Sequence, residues 1–135
     1  MGGEDRSRTV VAATVSRPRR LSIVGESHYQ EALLRICGAG AGEMIERECV
    51  AELVPEPDNA HDGNAIRVEI EGALVGYIRS QEARRWQRGI IAMRDAGRSS
   101  ECAARILCNP EEAGHANAGV VLEPSGELED LIARS

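Results

Sequence analysis

The densest run of side chains suited to chemistry lies between residues 56 and 70, in the segment EPDNAHDGNAIRVEI. Asp58, Asp62, Gly63 and Glu69 fall at positions 1, 5, 6 and 12 of a calcium-binding loop. Ala60 stands where that loop needs an oxygen ligand, and Pro57 and a strand-like sequence replace its flanking helices, so the calcium reading fails. His61-Asp62 suits a metal-dependent phosphodiesterase, but such a centre takes about three protein ligands, and only His28 and His115 remain as further imidazoles. An Asx-rich turn, in which short polar side chains bond their own backbone, explains the same residues without a ligand.

The four cysteines, Cys37, Cys49, Cys102 and Cys108, lack the close pairs of a zinc site, even with His115 added. They read as free thiols packed like small hydrophobes in a reducing cytoplasm. No Ser or Cys occupies a GxSxG elbow, so nucleophilic catalysis has no support. The expectation is a non-catalytic protein that needs no cofactor and no metal.

The 135 residues make one domain's worth of chain, and 42% hydrophobic against 28% charged residues suits a globular core. No apolar run approaches the ~20 residues that span a bilayer, so no membrane role is expected. Thr9 to Val15 is short for a secretion signal and follows Glu4 and Asp5. Tyr29, Tyr77 and Trp86 are the only aromatics, so the core must be aliphatic, and every basic residue is Arg. The net charge of −6 argues against broad attraction to nucleic acid. Residues 72–110 nevertheless carry seven Arg against three acids, which makes them the place to look for an anion-binding surface.

Extended pieces are expected at Thr9 to Val15, Leu21 to Val24, Glu48 to Val54, Ile66 to Ile70, Leu74 to Ile78, Cys102 to Cys108 and Gly119 to Leu122. Gly72 suits a tight hairpin, and Gly76 a bulge or a close backbone approach. Ser27 with Gln30 has the spacing of a capping box for a short helix over 28–37. Gly38 to Gly42 reads as that helix's stop and a connector. Ser80 suits the cap of a second helix over 81–96, where Ala83, Trp86, Ile90 and Met93 form an apolar stripe opposite Arg84, Arg85 and Arg88. Strands with two helices, one after a hairpin, indicate α+β with a small curled sheet or barrel. Leu53, Ile66, Val68, Ile70, Trp86 and Ile106 are its expected core.

The blocks IVGESHYQEAL, AELVPEPDNAHDGNAIRVEI and ALVGYIRSQEA, in this order and spacing, resemble a HIRAN domain. That module is attached to fork-remodelling Swi/Snf-type helicases and also occurs as stand-alone bacterial proteins. The resemblance is strongest from Leu21 to Ala83 and continues weakly to Leu122. It covers a domain over 21–122; composition reads 1–20 as a partly flexible segment with a strand in it and 123–135 as an acidic tail. The implied fold is an OB-like curled antiparallel β-barrel, and the implied function is binding of single-stranded DNA at a free 3′ end, in repair or replication restart.

Such binding needs planar groups for bases and donors for phosphates. By the resemblance, Tyr29 stacks on a base, Asn59 and Asp62 are polar contacts, and Asp62 accepts from the terminal hydroxyl. Tyr77 lies beside them, while Arg79, Arg84, Arg85 and Arg88 supply positive charge. Ser27 and His28 replace a basic residue and an aromatic, Ala60 a Pro, His61 a Tyr and Ser80 a Lys. His28 and His61 can still stack, or contact phosphate when protonated. A helicase or nuclease is the expected partner protein. Two other readings stay open: a protein-interaction module on the same fold without DNA binding, and the phosphodiesterase. Tyr29 equally suits the core, and the arginines a solvated helix face.

Overall fold

The computed structural model describes residues 19–38, 45–110 and 116–134. The proposed strand at Thr9 to Val15, most of the glycine connector and His115 lie outside these residues. The elements are β1 (Leu21–Ser22), a 3₁₀ turn (Glu26–His28), α1 (Gln30–Cys37), β2 (Ile45–Pro55), β3 (Ile66–Ile70) and β4 (Ala73–Tyr77). They continue with α2 (Ser80–Asp95), β5 (Glu101–Pro110), β6 (Ala116–Glu123) and α3 (Gly126–Arg134). The fold is α+β, with an antiparallel, OB-like sheet in the order β1-β6-β5-β2-β3-β4.

The sheet curls because one short segment serves both of its ends. Leu21 and Ser22 pair with Leu122 and Val121 of β6. Two residues on, Val24 exchanges two 2.8 Å backbone hydrogen bonds with Tyr77 of β4. Gly76 makes this approach possible: a Cβ there would stand 2.6 Å from Ile23 Cδ1 and 2.8 Å from the Val24 carbonyl oxygen. The register shifts opposite it, between Val68 and Glu69, which leaves Val75 unpaired beside Gly76, so the bulge and the close contact expected there both occur around this glycine. The hairpin before it turns through Glu71 and Gly72, both with positive φ, as a two-residue primed turn requires.

Alternation fixes the faces. Ile66, Val68 and Ile70 are buried while Arg67 and Glu69 point outward, and Cys102, Ala104, Ile106 and Cys108 form one buried row on β5. These rows meet Leu33 and Ile36 of α1, and Ala83, Trp86, Ile90 and Met93 of α2, in a single core that includes every expected core residue. Among the described residues no helix is long and apolar enough to cross a membrane.

Several local expectations need correction. The stretch over 123–135 read as an acidic tail holds a third helix, α3, which inserts Leu128, Leu131 and Ile132 into the core at helical spacing. Ser27 makes no capping bond, and α1 starts at Gln30 behind Tyr29. Gln30 instead donates to the carbonyls of Glu26 (3.0 Å) and Ala118 (2.9 Å) and accepts from the Ala118 N–H (2.8 Å), so it sews α1 to β6. Ser80 is the first residue of α2 rather than its cap, a position held by Arg79 without a side-chain bond. Two of the four thiols expected to be free, Cys37 and Cys108, are paired as a disulfide between the end of α1 and β5.

Candidate nucleic-acid interface

Pro55 and Pro57 end β2 and lead into a turn that returns as β3. The backbone brackets the turn, with Glu56 N–H donating to Ala65 O (2.9 Å) and Ala65 N–H to Asp62 O (3.0 Å). Asn59 organises the interior: its Oδ1 accepts from the N–H groups of His61 (2.8 Å) and Asp62 (3.0 Å). Its amide donates to Glu56 Oε1 at 2.8 Å. Asp62 accepts from the Asn64 N–H at 2.9 Å, the Asx-turn arrangement. Gln87 of α2 donates to the carbonyls of Gly63 (2.9 Å) and Ala65 (3.0 Å), which fixes the turn against the helix.

Glu56 is the hub, and the motif-based reading missed it because Pro-Glu-Pro registers only as a strand stop. Besides Asn59, it accepts from the Tyr77 hydroxyl (3.4 Å) and from Arg67 (3.5 Å). Arg67 is shared with Glu69, so one guanidinium faces two carboxylates. Burial pushes the Tyr77 phenol above its ordinary value, and the charge of Glu56 and the nearby Tyr29 hydroxyl push the same way. Tyr77 is therefore a neutral donor at physiological pH. Gln87, whose bonds join the turn to α2, was also missed; a polar side chain on the apolar stripe was its only signal.

The structure thus brings Tyr77 and Asn59 together on Glu56, with Tyr29 within electrostatic reach of Tyr77. Tyr29 is half-buried between the 3₁₀ turn and α1, with the exposed His28 ring set edge-on to it at a 6.2 Å centroid distance. His61 is exposed and Asp62 half-buried, both on the turn itself. Arg79 follows Tyr77 by two residues, and Arg84, Arg85 and Arg88 follow along α2, all exposed. Their guanidinium groups form no ion pair or hydrogen bond with a described residue, whereas Arg20, Arg47, Arg67, Arg94, Arg98 and Arg105 are all paired with glutamates. Arg19, Arg35 and Arg134 are likewise exposed and unpaired among the described residues, so unpaired positive charge is densest, not exclusive, between Arg79 and Arg88. Among the described residues, no three His, Cys, Asp or Glu side chains converge where a metal ion could sit.

A cleft of about 520 Å³ opens elsewhere, beside β2 and the β3–β4 turn, lined by five glutamates with Arg47, Cys49 and Val50. Its sign is wrong for a polyanion.

The sequence matches no known protein-family profile and no curated protein. Among solved structures, the crystal structure of the HIRAN domain of human HLTF matches at 15% identity, with 86% of each chain covered and a TM-score of 0.41. That similarity is too low to carry a residue's role from one chain to the other.

Proposed function

We propose that this protein is a non-catalytic module that binds the 3′ end of single-stranded DNA, in a repair or replication-restart setting, beside a helicase or nuclease partner. The observation that carries the reading is that Tyr77, half-buried and within electrostatic reach of the half-buried Tyr29, leads two residues on into Arg79 and a helix whose Arg84, Arg85 and Arg88 are exposed and unpaired. Tyr29 and Tyr77 offer planar faces to the terminal bases, a contact that tolerates any sequence. Arg79, Arg84, Arg85 and Arg88 meet the phosphates that follow. His28 and His61 flank the path, and Asn59 and Asp62 hold the turn that positions them. The polypeptide's contribution is prearrangement: Gln87 locks the turn to the arginine helix before any strand arrives.

Titrating a labelled oligonucleotide at several salt concentrations tests this directly. Log affinity should fall linearly with log salt, and the double variant R84E/R88E should weaken binding to every sequence and flatten the slope by about one unit per lost phosphate contact. Because both side chains stand in solvent, thermal stability should hardly move. Binding that is absent at low salt, or unchanged in the variant, would overturn the proposal. A second reading, a protein-interaction module, is favoured by the outer sheet face. Glu46, Glu48, Glu52 and Glu101 surround Val50 and Leu107, the two large hydrophobic side chains that stand exposed among the described residues.

A further inference from the structure

We propose that the open edge of β2 is a docking strip for an extended basic segment of another protein, which adds a strand to the sheet there; this rests on the protein-interaction reading of the same face and does not depend on DNA binding. β2 outruns one of its neighbours: β3 pairs only with residues 51–55, whereas β5 pairs with residues 45–52. Along residues 45–50 one side of the strand therefore has no strand beside it among the described residues. Leu53 N–H donates to the Ser100 carbonyl at 3.1 Å, on the β5 side. Backbone groups alternate along a strand, so the N–H and C=O of Glu46 and Glu48 face the open side. Four consecutive residues, 47–50, line the cleft of about 520 Å³, so it follows this edge instead of lying over one face. Such an edge takes a ligand by β-strand addition.

Charge selects the occupant. Val50 is exposed on the strip, and Glu48 and Glu46 share its face at alternate positions. Arg105 is divided among Glu46, Glu48 and Glu123, and Glu101, which also lines the cleft, has no ion pair with a described residue. Arg47, Arg67 and Arg94 offset Glu71, Glu69 and Glu52, so carboxylate stays in excess. A strand running antiparallel to β2 meets Val50, Glu48 and Glu46 in that order. It complements them with an apolar residue followed by two cations at alternate positions. A second copy of this edge fits badly, because antiparallel pairing would set Glu46 and Glu48 against the same glutamates.

The probes are three capped synthetic peptides titrated into isotope-labelled protein and followed by NMR: GVTRTRG, GVTETEG, and GVTRTRG carrying an N-methyl group on its first arginine. GVTRTRG should bind about tenfold tighter than GVTETEG, since two favourable cross-strand pairs become unfavourable in the latter. It should also slow amide exchange at Glu46 and Glu48. The N-methyl group removes a donor to the Glu48 carbonyl and keeps the strands apart, so it should weaken binding by about tenfold or more. E46Q/E48Q, changed only at exposed side chains, should narrow the preference between the first two peptides to about threefold and keep the sensitivity to N-methylation. Equal binding of the first two peptides by wild type, or a preference for GVTETEG, overturns the basic occupant. Shifts at Val50 and Leu107 that are indifferent to N-methylation overturn strand addition and leave a protein-binding face. No binding of any peptide removes the interaction reading of this face as well. Self-association of the free protein in sedimentation, with slow exchange at Glu46 and Glu48, would make a second copy the occupant instead. Should E46Q/E48Q not fold, the three peptides on wild type still decide.

Discussion

Glu56, Gln30 and Gln87 show how single polar side chains tie together segments that are remote in the chain. Gln30 bonds to Ala118, 88 residues away, and Gln87 to Gly63 and Ala65. None of these bonds is written in a local pattern, which is why Gln30 with Ser27 reads as a capping box and the hub at Glu56 goes unnoticed. What local pattern does reveal is the Asx turn, because Asn59 and Asp62 bond their near neighbours. Cys102 shows the opposite case, a titratable group with little polar company. Burial pushes its thiol from 9.0 up to about 12, only partly offset by a backbone hydrogen bond. A proton held more tightly in the folded chain stabilises the fold fully below the unfolded value near 9, and that contribution is lost as pH rises toward 12. Between pH ~8 and ~10, wild type should therefore lose about 1 kcal/mol through this one group. Urea unfolding of wild type and C102A across that range checks the claim: the alanine variant starts from its own baseline but should fall less steeply. Equal slopes would show that Cys102 ionises alike in both states.

At the scale of elements, the strands were legible wherever one face is buried and the other is not. Ile66 to Ile70 is the clearest case, and β3 has the expected bounds. The third helix was hidden by its composition: Glu127, Glu129 and Asp130 suggested a solvated tail, although Leu128, Leu131 and Ile132 already stood at helical spacing. A curled sheet or barrel was expected from the order of elements, but the place where it closes was legible only as the oddity of a glycine within a strand. That oddity makes a sharp test. In G76A the new methyl would meet Ile23, which can shift, and the Val24 carbonyl oxygen, which is held by its bond from Tyr77. The variant should lose about 1–3 kcal/mol, the usual cost of forcing an extra carbon into a packed site. Amide exchange should rise first at Val24 and Tyr77, whose mutual bonds join β4 to the segment after β1. Fully protected amides there, with unchanged stability, would mean that the two strands close without needing the glycine.

For the whole molecule, two properties are invisible to composition: where the charge goes and what ties the ends of the fold together. A chain of net charge −6 still presents an arginine helix, because many of the acids among the described residues collect on the outer sheet face, around the cleft beside β2, and on α3. The Cys37–Cys108 pairing spans 71 residues, with Cα atoms 6.8 Å apart, and nothing in the spacing of the four cysteines identified that pair. It fastens the end of α1 to β5, while Gln30 fastens the start of α1 to β6. A loop of that length restricts the unfolded chain by about 4 kcal/mol in the chain-entropy account, and measured values commonly fall to about 2–4. Adding a dithiol reductant should therefore lower the urea midpoint of wild type without dismantling the barrel, since the β1–β6 pairing and the Gln30 bonds do not depend on sulfur. The double variant C37S/C108S should unfold near the midpoint of reduced wild type and should not respond to reductant. C49S and C102S should respond as wild type does, because those thiols are unpaired. If reductant leaves the wild-type midpoint unchanged, the pairing contributes nothing to stability; if C37S/C108S still responds, the reductant acts elsewhere.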